Sequence, residues 1–487
     1  MRKTNWRKHH KWSGIVSSLL VLIFCVSGIV LNHRNWVSNI EISRQWLPPG
    51  YSFQNWNGGL LRGTIPYKDK VLIFGVNGIW ITDSTAFHID DFNAGLPKSA
   101  DHRQVKNIVA CGNRYFAVTP EALYTLDGEQ WKNVDIGIRQ SERLSDICSK
   151  GDTLIVVGRS NLYLTTSNNS EFQKIELKSA RNSDGKTSLF KTIWNLHSGE
   201  LFGFSGKLLF DFIAIIMAFL SVSGIVLWLI PKSIRKRFQL QKPTENHIKV
   251  LKASRIWHNR AGKATIPLSM LIIVTGWCLR PPLMIPLAMF KTSPLPGTML
   301  DNDNPWHDKL RMLRYDNNSD EWLISSSEGF FSLHDIRAIP KRIDSAPPVS
   351  VMGLNVWTQD SLGNWICGSF SGIYRWHRPT GLVWDYFSGD QTDVQETGSP
   401  FGKFAVAGYA KEWNAVIEYN DGTDSIPQPE KMKHLPMSLW NVALEAHSGR
   451  LLIGDIATYL YIFFTGGIIA WCLWSGWKIR QNKHKRN

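Results

Sequence analysis

"WNLHSGELFG" occupies residues 194–203, and "WNVALEAHSGRLLIG" occupies 440–454. Both carry Trp-Asn upstream of His-Ser-Gly, and both stop just short of a long apolar run. A bilayer-spanning helix needs about 20 apolar residues. Four runs approach that length: Gly14 to Leu31, Leu208 to Ile230, Thr265 to Leu279 and Ala457 to Trp474. The first has no small-x-small site after it and reads as an anchor rather than a signal peptide. "RPPLMIPLAMF" follows the third, and its prolines predict a broken or interfacial extension.

Basic residues orient these spans. Residues 1–12 and 477–487 carry only positive charge, and 231–264 hold ten Lys/Arg against one Glu. Together they exceed the formal charge of the whole chain, +15, so the remainder is slightly acidic. The positive-inside rule puts both termini and the 231–264 segment in the cytoplasm. The basic excess is therefore topological, and no nucleic-acid motif accompanies it. The expected partner is the lipid bilayer.

The resulting order of domains is a cytoplasmic flank and first span (1–33), an outer β domain (34–195), the second span (196–231), a basic cytoplasmic loop (232–264), the third span with its proline-rich extension (265–290), a second outer β domain (291–445), the fourth span (446–478) and a tail (479–487). Each half repeats span, ectodomain, span, which reads as an internal duplication. Small-Gly pairs recur in the spans at Ser27-Gly28, Ser223-Gly224, Thr275-Gly276 and Gly466-Gly467. Such residues let helices, or a flat ligand, approach the backbone closely.

The ectodomains have their own period. "NGIW" (77–80), "EALY" (121–124), "SNLY" (160–163), "EGFF" (328–331) and "SGIY" (371–374) each join a turn to an aliphatic-aromatic pair. Within each ectodomain the aromatic returns after 44, 39 and 43 residues. Apolar strands such as "VLIFGV" and "TLIVVG" precede the turns. A repeat of this length suggests propeller-like blades, closing as one propeller or lying as two open arrays. The fold class is thus a four-helix membrane bundle with two β-rich insertions. Of six cysteines, Cys111, Cys148 and Cys367 fall outside the spans. Cys111–Cys148 is the expected disulfide. The acidic stretches 301–305 and 316–321 lack calcium-loop spacing and read as polar loops.

The histidines carry the chemistry. His10 and His258 stand at the inner starts of spans one and three, while His33, His197 and His447 stand at the outer edge. Gly14 and Gly262 follow the inner pair by one helical turn, on the same face. Gly199 and Gly203 follow His197, and Gly449 and Gly454 follow His447. A bis-histidine haem b needs two neutral imidazoles from facing helices and a groove lined by small residues. One pair at each face would hold two haems and form an electron path across the bilayer. On this reading His10, His258, His197 and His447 are the iron ligands.

"HHKWSGIVSSLLVLIFCVSGIVLNH", "LHSGELFG…SGIVLW" and "AHSGRLL" resemble the PepSY-associated transmembrane family, whose motifs are a His-Arg-Trp-x-Gly approach to a span and a Leu-His-Thr-Gly exit from an outer domain. The resemblance covers the spans and their flanks. It implies a bacterial inner-membrane protein similar to siderophore-iron reductases, with two haems between its helices and ligand roles for His10, His258, His197, His447 and His33. The second approach motif lacks its Trp, and propeller-like repeats stand where a small PepSY ectodomain is usual.

His33 lies opposite Pro281 when Ser27-Gly28 is aligned with Thr275-Gly276. It is either an outer ligand in place of His197 or His447, or a third polar group near the substrate. The first functional reading is a di-haem electron carrier that reduces an external ferric chelate with electrons from an unidentified cytoplasmic donor. No flavin or nicotinamide fingerprint appears in the chain. The second is a membrane-anchored β-propeller that binds or senses a ligand without redox chemistry. A transporter subunit fits less well, because the spans hold few charges beyond Asp211 and Arg280 near their ends.

Overall fold

The computed structural model describes residues 3–138, 142–166, 171–181, 183–350, 352–392, 404–451 and 455–484. The chain divides into two compact units. One gathers Met1–Val37, Gly185–Asp301 and Leu439–Asn487, and the other gathers Ser38–Asp184 and Asn302–Ser438.

The first unit is helical: α1 (Lys3–Asn32), α2 (Arg34–Val37), α3 (Leu189–Ser198), α4 (Gly203–Gln239), α5 (Glu245–Cys278), α6 (Met284–Met289), α7 (Leu439–His447) and α8 (Asp455–His484). α1, α4, α5 and α8 contain the four stretches long and apolar enough to cross a membrane. They form a ring in which α1 and α5 each pack against both α4 and α8. Val21, Cys25, Ile213, Met217 and Ile469 are buried at its centre. The short α3 leans on α5, and the short α7 leans on α1.

The repeated His-Ser-Gly ends these short helices. Ser188 caps the start of α3, its Oγ accepting from the Lys191 amide at 3.2 Å. His197 occupies the last turn, Ser198 Oγ donates back to the Asn195 carbonyl, and Gly199 takes φ 77°. That left-handed turn favours glycine. A side chain at Gly199 would also run into the Gly206 carbonyl. α7 ends in the same way, with Ser448 Oγ donating to the Glu445 carbonyl and Gly449 at φ 81°. Both glycines therefore turn the chain back toward a span.

The expected basic loop of 232–264 is almost wholly helical. α4 continues to Gln239 and α5 begins at Glu245, so Leu240 to Thr244 alone joins them. Lys and Arg are good helix formers, and nothing in these flanks but Pro231 opposes continuation. The helix of the third span ends at Cys278, next to the expected limit at Leu279, and in the proline-rich tail, expected to be a broken extension, only the short α6 forms.

The second unit is built of β-sheet. Four sheets are four-stranded antiparallel meanders, covering residues 107–134, 144–175, 310–343 and 354–385. A fifth holds the strands of 63–91 and also those of 406–418, joined where Gly63 pairs in parallel with Tyr409. The first strands of these five sheets pack side by side in the order 63–67, 107–111, 144–150, 310–316 and 354–359, and the strand 406–410 packs on 354–359. The last meets the first again. Cores fill the spaces between neighbouring sheets: Leu72, Ile79 and Trp131 lie in one, Leu154, Val156 and Leu123 in the next, and Trp306, Leu313 and Ile324 in another. Of the two arrangements left open for the segments 34–195 and 291–445, the strands follow the joint one: Ser38–Asp184 and Asn302–Ser438 make one compact β unit. The Cys111–Cys148 disulfide does not form. Both thiols are free and buried, and Cys111 Sγ donates to the Gly151 carbonyl at 3.7 Å.

Candidate haem-binding sites

His10 on α1 and His258 on α5 face one another, with ring centroids 6.1 Å apart. His197 on α3 and His447 on α7 face one another at 6.0 Å. All four use Nδ1 in the same way, against a carbonyl of a neighbouring span or the hydroxyl three residues beyond it. His447 Nδ1 meets the Phe24 carbonyl at 3.1 Å and Ser27 Oγ at 3.0 Å. His197 Nδ1 meets the Ile272 carbonyl at 3.1 Å and Thr275 Oγ1 at 3.2 Å. His258 Nδ1 meets Ser223 Oγ at 2.9 Å and also reaches the Leu220 carbonyl. His10 Nδ1 meets the Cys472 carbonyl at 2.9 Å, while Ser475 Oγ donates to that same carbonyl.

An Nδ1–H given to a backbone carbonyl fixes the neutral tautomer and leaves the lone pair on Nε2. Among the described residues no hydrogen bond engages Nε2 of these four histidines.

A glycine follows each hydroxyl residue, directly beneath the imidazole. A Cβ on Gly28 would stand 3.3 Å from His447 Cε1, and one on Gly276 would stand 2.6 Å from His197 Cε1. The matching distances are 3.7 Å from Gly224 to His258 and 3.0 Å from Gly476 to His10. So one cassette of a carbonyl, a Ser or Thr three residues on and then a Gly occurs in all four spans. The fourth copy is Ser475-Gly476, not the expected Gly466-Gly467. Gly466 instead accommodates the Trp277 ring, whose Cδ1 would lie 2.6 Å from an added Cβ.

The other glycines proposed from spacing serve packing. Gly14 abuts Cys472 Sγ and Gly262 abuts Leu220, while Gly199 and Gly449 make the turns already described. Gly203, at φ 65°, begins α4, and Gly454 lies outside the described residues. Helical spacing does put Gly14 one turn from His10. However, each imidazole leans on a glycine of a different helix, which spacing within one helix cannot reveal.

His33 takes no part in either pair. Its Nε2 bonds Asp211 Oδ2 at 2.7 Å, its ring stacks on Trp36 at 4.1 Å, and Asn32 Nδ2 donates to Asp211 Oδ1 at 2.8 Å. With the nitrogen needed for ligation bonded to a buried carboxylate, His33 ties α1 to α4 instead. Asp211→Ala strands both the Asn32 amide and the His33 ring nitrogen. A loss of about 2 kcal/mol or more is expected, read as a lower melting temperature in detergent, while both histidine pairs persist. Unchanged melting would mean that the tie contributes nothing.

Two trans imidazoles on one metal, with bonds of about 2 Å and ring centres about 1.1 Å beyond each nitrogen, stand about 6 Å apart. Both pairs match that spacing. Among the described residues, no three His, Cys, Asp or Glu side chains converge to hold a metal ion. A bare ion would find only two protein donors at either pair, whereas a porphyrin brings four nitrogens of its own. The donor set and the glycine cradles therefore fit a bis-imidazole haem.

The family described as "PepSY-associated TM region" matches residues 1–231 and again 166–480. No curated protein matches the chain. Among solved structures, the extracellular domain of the putative one component system BT4673 from B. thetaiotaomicron is 10% identical, with a TM-score of 0.32 over 77% of this chain and 38% of that one. A structure described as the extracellular domain of the putative hybrid two component system BT4673 gives 9% and 0.33, again over 38% of its length. The computationally designed Ika8 protein gives 8% and 0.31, over 76% of this chain and 96% of that one. The chain thus spans well under half the length of the first two.

Proposed function

The chain belongs to the PepSY-associated transmembrane family, and from that premise we propose that it is an integral-membrane electron carrier with two bis-histidine b-type haems. His10 and His258 hold the inner haem, and His197 and His447 hold the outer one. The observation that carries this reading is the twice-repeated pair of imidazoles about 6 Å apart, each secured through Nδ1 and cushioned by a glycine from another helix. Once bound, haem supplies a reversible one-electron change at iron.

The protein's own contribution is position and tuning. Carbonyls of Cys472, Leu220, Ile272 and Phe24 polarise the Nδ1–H bonds and so raise the basicity of Nε2. The apolar spans exclude water and limit reorganisation around each site. On α1, the step from His10 to Phe24 and Ser27 covers about 21–26 Å of helix, so one helix serves both sites.

The surrounding architecture is consistent with this role. His10, Gly14, Phe24, Ser27 and Gly28 on α1 map onto His258, Gly262, Ile272, Thr275 and Gly276 on α5 at a constant offset of 248 residues. Together with the two family matches, this supports an internal duplication. The cyclic succession of sheets supports a propeller-like ring, closed where the two strands of 406–418 join the sheet of 63–91. Basic flanks at both termini and between α4 and α5 favour a bacterial inner membrane, with cytoplasmic termini and the β unit in the periplasm. The likeness to siderophore-iron reductases noted from the motifs makes a ferric chelate the proposed acceptor, with electrons from a cytoplasmic donor.

Pre-reduced, purified protein should be reoxidised by an added ferric siderophore within seconds, followed by stopped-flow absorbance. Haem-loaded protein that stays reduced would exclude ferric chelates as acceptors. Protein without haem would favour a binding or sensory role for the β unit.

A further inference from the structure

Past the apolar part of their spans, α4 and α5 run on as a helical hairpin whose turn is Leu240 to Thr244. Two tryptophans mark where it leaves the bilayer. Lys232 stands over the Trp228 ring at 4.0 Å, and Arg260 lies 5.5 Å from the Trp257 ring. Tryptophan beside a cation settles at the headgroup level. From Trp228 to Gln239 the helix climbs about 16 Å, and from Trp257 back to Glu245 about 18 Å. A helix tilt of about 40° still leaves about 12 Å. The headgroup layer is only about 5–8 Å deep on each side. The end of the hairpin therefore stands in water.

That end is cationic. Arg235, Lys236, Arg237, Lys242, Lys249 and Lys252 share it with a single acid, Glu245. Among the described residues none of these six cations makes an ion pair. Arg237 Nε donates to the Pro243 carbonyl at 2.9 Å and so holds the turn. The same end is also apolar: Phe238 is 78% exposed, Leu240 55% and Val250 48%. Topology accounts for the sign of these charges but not for their distance from the bilayer. A hairpin that only anchored the chain to lipid would keep such side chains at headgroup level, and one that only stayed solvated would expose polar ones. Exposed apolar side chains among charges of one sign make a protein-binding face, and the sign selects an acidic partner.

Resting on the di-haem reading, we propose that this hairpin is the docking arm for a soluble, acidic one-electron carrier protein that reduces the inner haem. The arm is rooted at the inner pair, since His258 directly follows Trp257. A compact carrier of about 100 residues has a radius of gyration of about 13 Å, so one seated along the arm also covers that pair. The reduced carrier gives up one electron and the ferric haem iron takes it, with no bond formed or broken.

The test uses full-length, haem-loaded protein in phosphatidylcholine nanodiscs, with an acidic [2Fe–2S] ferredoxin as the probe. Oxidised ferredoxin should bind, at least tenfold more weakly at about 0.2 M than at about 0.02 M salt. Photoreduced ferredoxin should reduce the inner haem in stopped flow. Replacing Arg235, Lys236 and Lys242 together by Glu should lower both affinity and reduction rate at least tenfold at low salt. Phe238→Ser should weaken binding several-fold at either salt concentration. Haem content and reduction by dithionite should stay at the wild-type level in both variants, which a misfolded hairpin would not allow. Binding that ignores salt, or a charge-reversed variant reduced as fast as wild type, overturns the arm. A defect seen only in nanodiscs containing phosphatidylglycerol assigns the cations to lipid and overturns it too. Protein that binds ferredoxin in this salt-dependent way but carries no haem keeps the arm and overturns the di-haem reading, so the two failures are distinguishable.

Discussion

His258→Ala, expressed with ample haem and purified in detergent, should carry one haem per chain in place of two, and the one that remains should keep its low-spin bis-imidazole spectrum. The expectation follows from the separation of the two pairs. His258 touches Ser223 and faces His10. Its loss leaves His197 and His447, with Ile272, Thr275, Phe24 and Ser27, untouched. His10→Ala should give the same result from the other side of the same iron. A single remaining imidazole cannot hold the iron six-coordinate, so the inner haem is lost. Simultaneous loss of both haems from folded protein would contradict two separate sites. Unchanged haem content would contradict this ligand pair.

Gly276→Val should eliminate the outer haem altogether. Already a Cβ at this position would stand 2.6 Å from His197 Cε1, a distance that ordinary packing does not tolerate. The added methyls of valine must displace the imidazole, and with it the alignment toward His447. Gly262→Ala provides the control. Its Cβ would meet only Leu220, at 3.7 Å, and it lines neither histidine pair. Haem content should therefore fall by half in the first variant and stay at the wild-type level in the second. Equal behaviour of the two would show that the glycine under His197 is no cradle.

The contrast between these glycines marks how far the sequence could be read. The spans and the four paired histidines were legible because they rest on local signals: apolar length and a motif repeated in both halves. What the sequence hid depends on contacts between helices. The cassette of Ser or Thr followed by Gly stood in plain text at Ser475-Gly476. Yet Gly466-Gly467 offers the same small residues a few positions earlier, and only the seating of His10 on α8 separates them. His33 shared the outer edge with His197 and His447, but Asp211, far away in sequence, takes its Nε2. The 232–264 segment read as a loop because its charges exclude it from the bilayer, although such residues are compatible with helix beyond the membrane. The two ectodomain segments each showed the repeat of about forty residues. Nothing local disclosed that the strand at 406–410 returns to pair with the strand at 63–67.

The most direct measurement is the haem stoichiometry and ferric spectrum of the intact wild-type protein. The account predicts a coloured protein with two b-type haems per chain, both low-spin in the oxidised state and both reducible, with low-temperature electron paramagnetic resonance showing two distinct bis-imidazole signals. A colourless protein from haem-replete cells, or a haem content near zero after reconstitution, would contradict it.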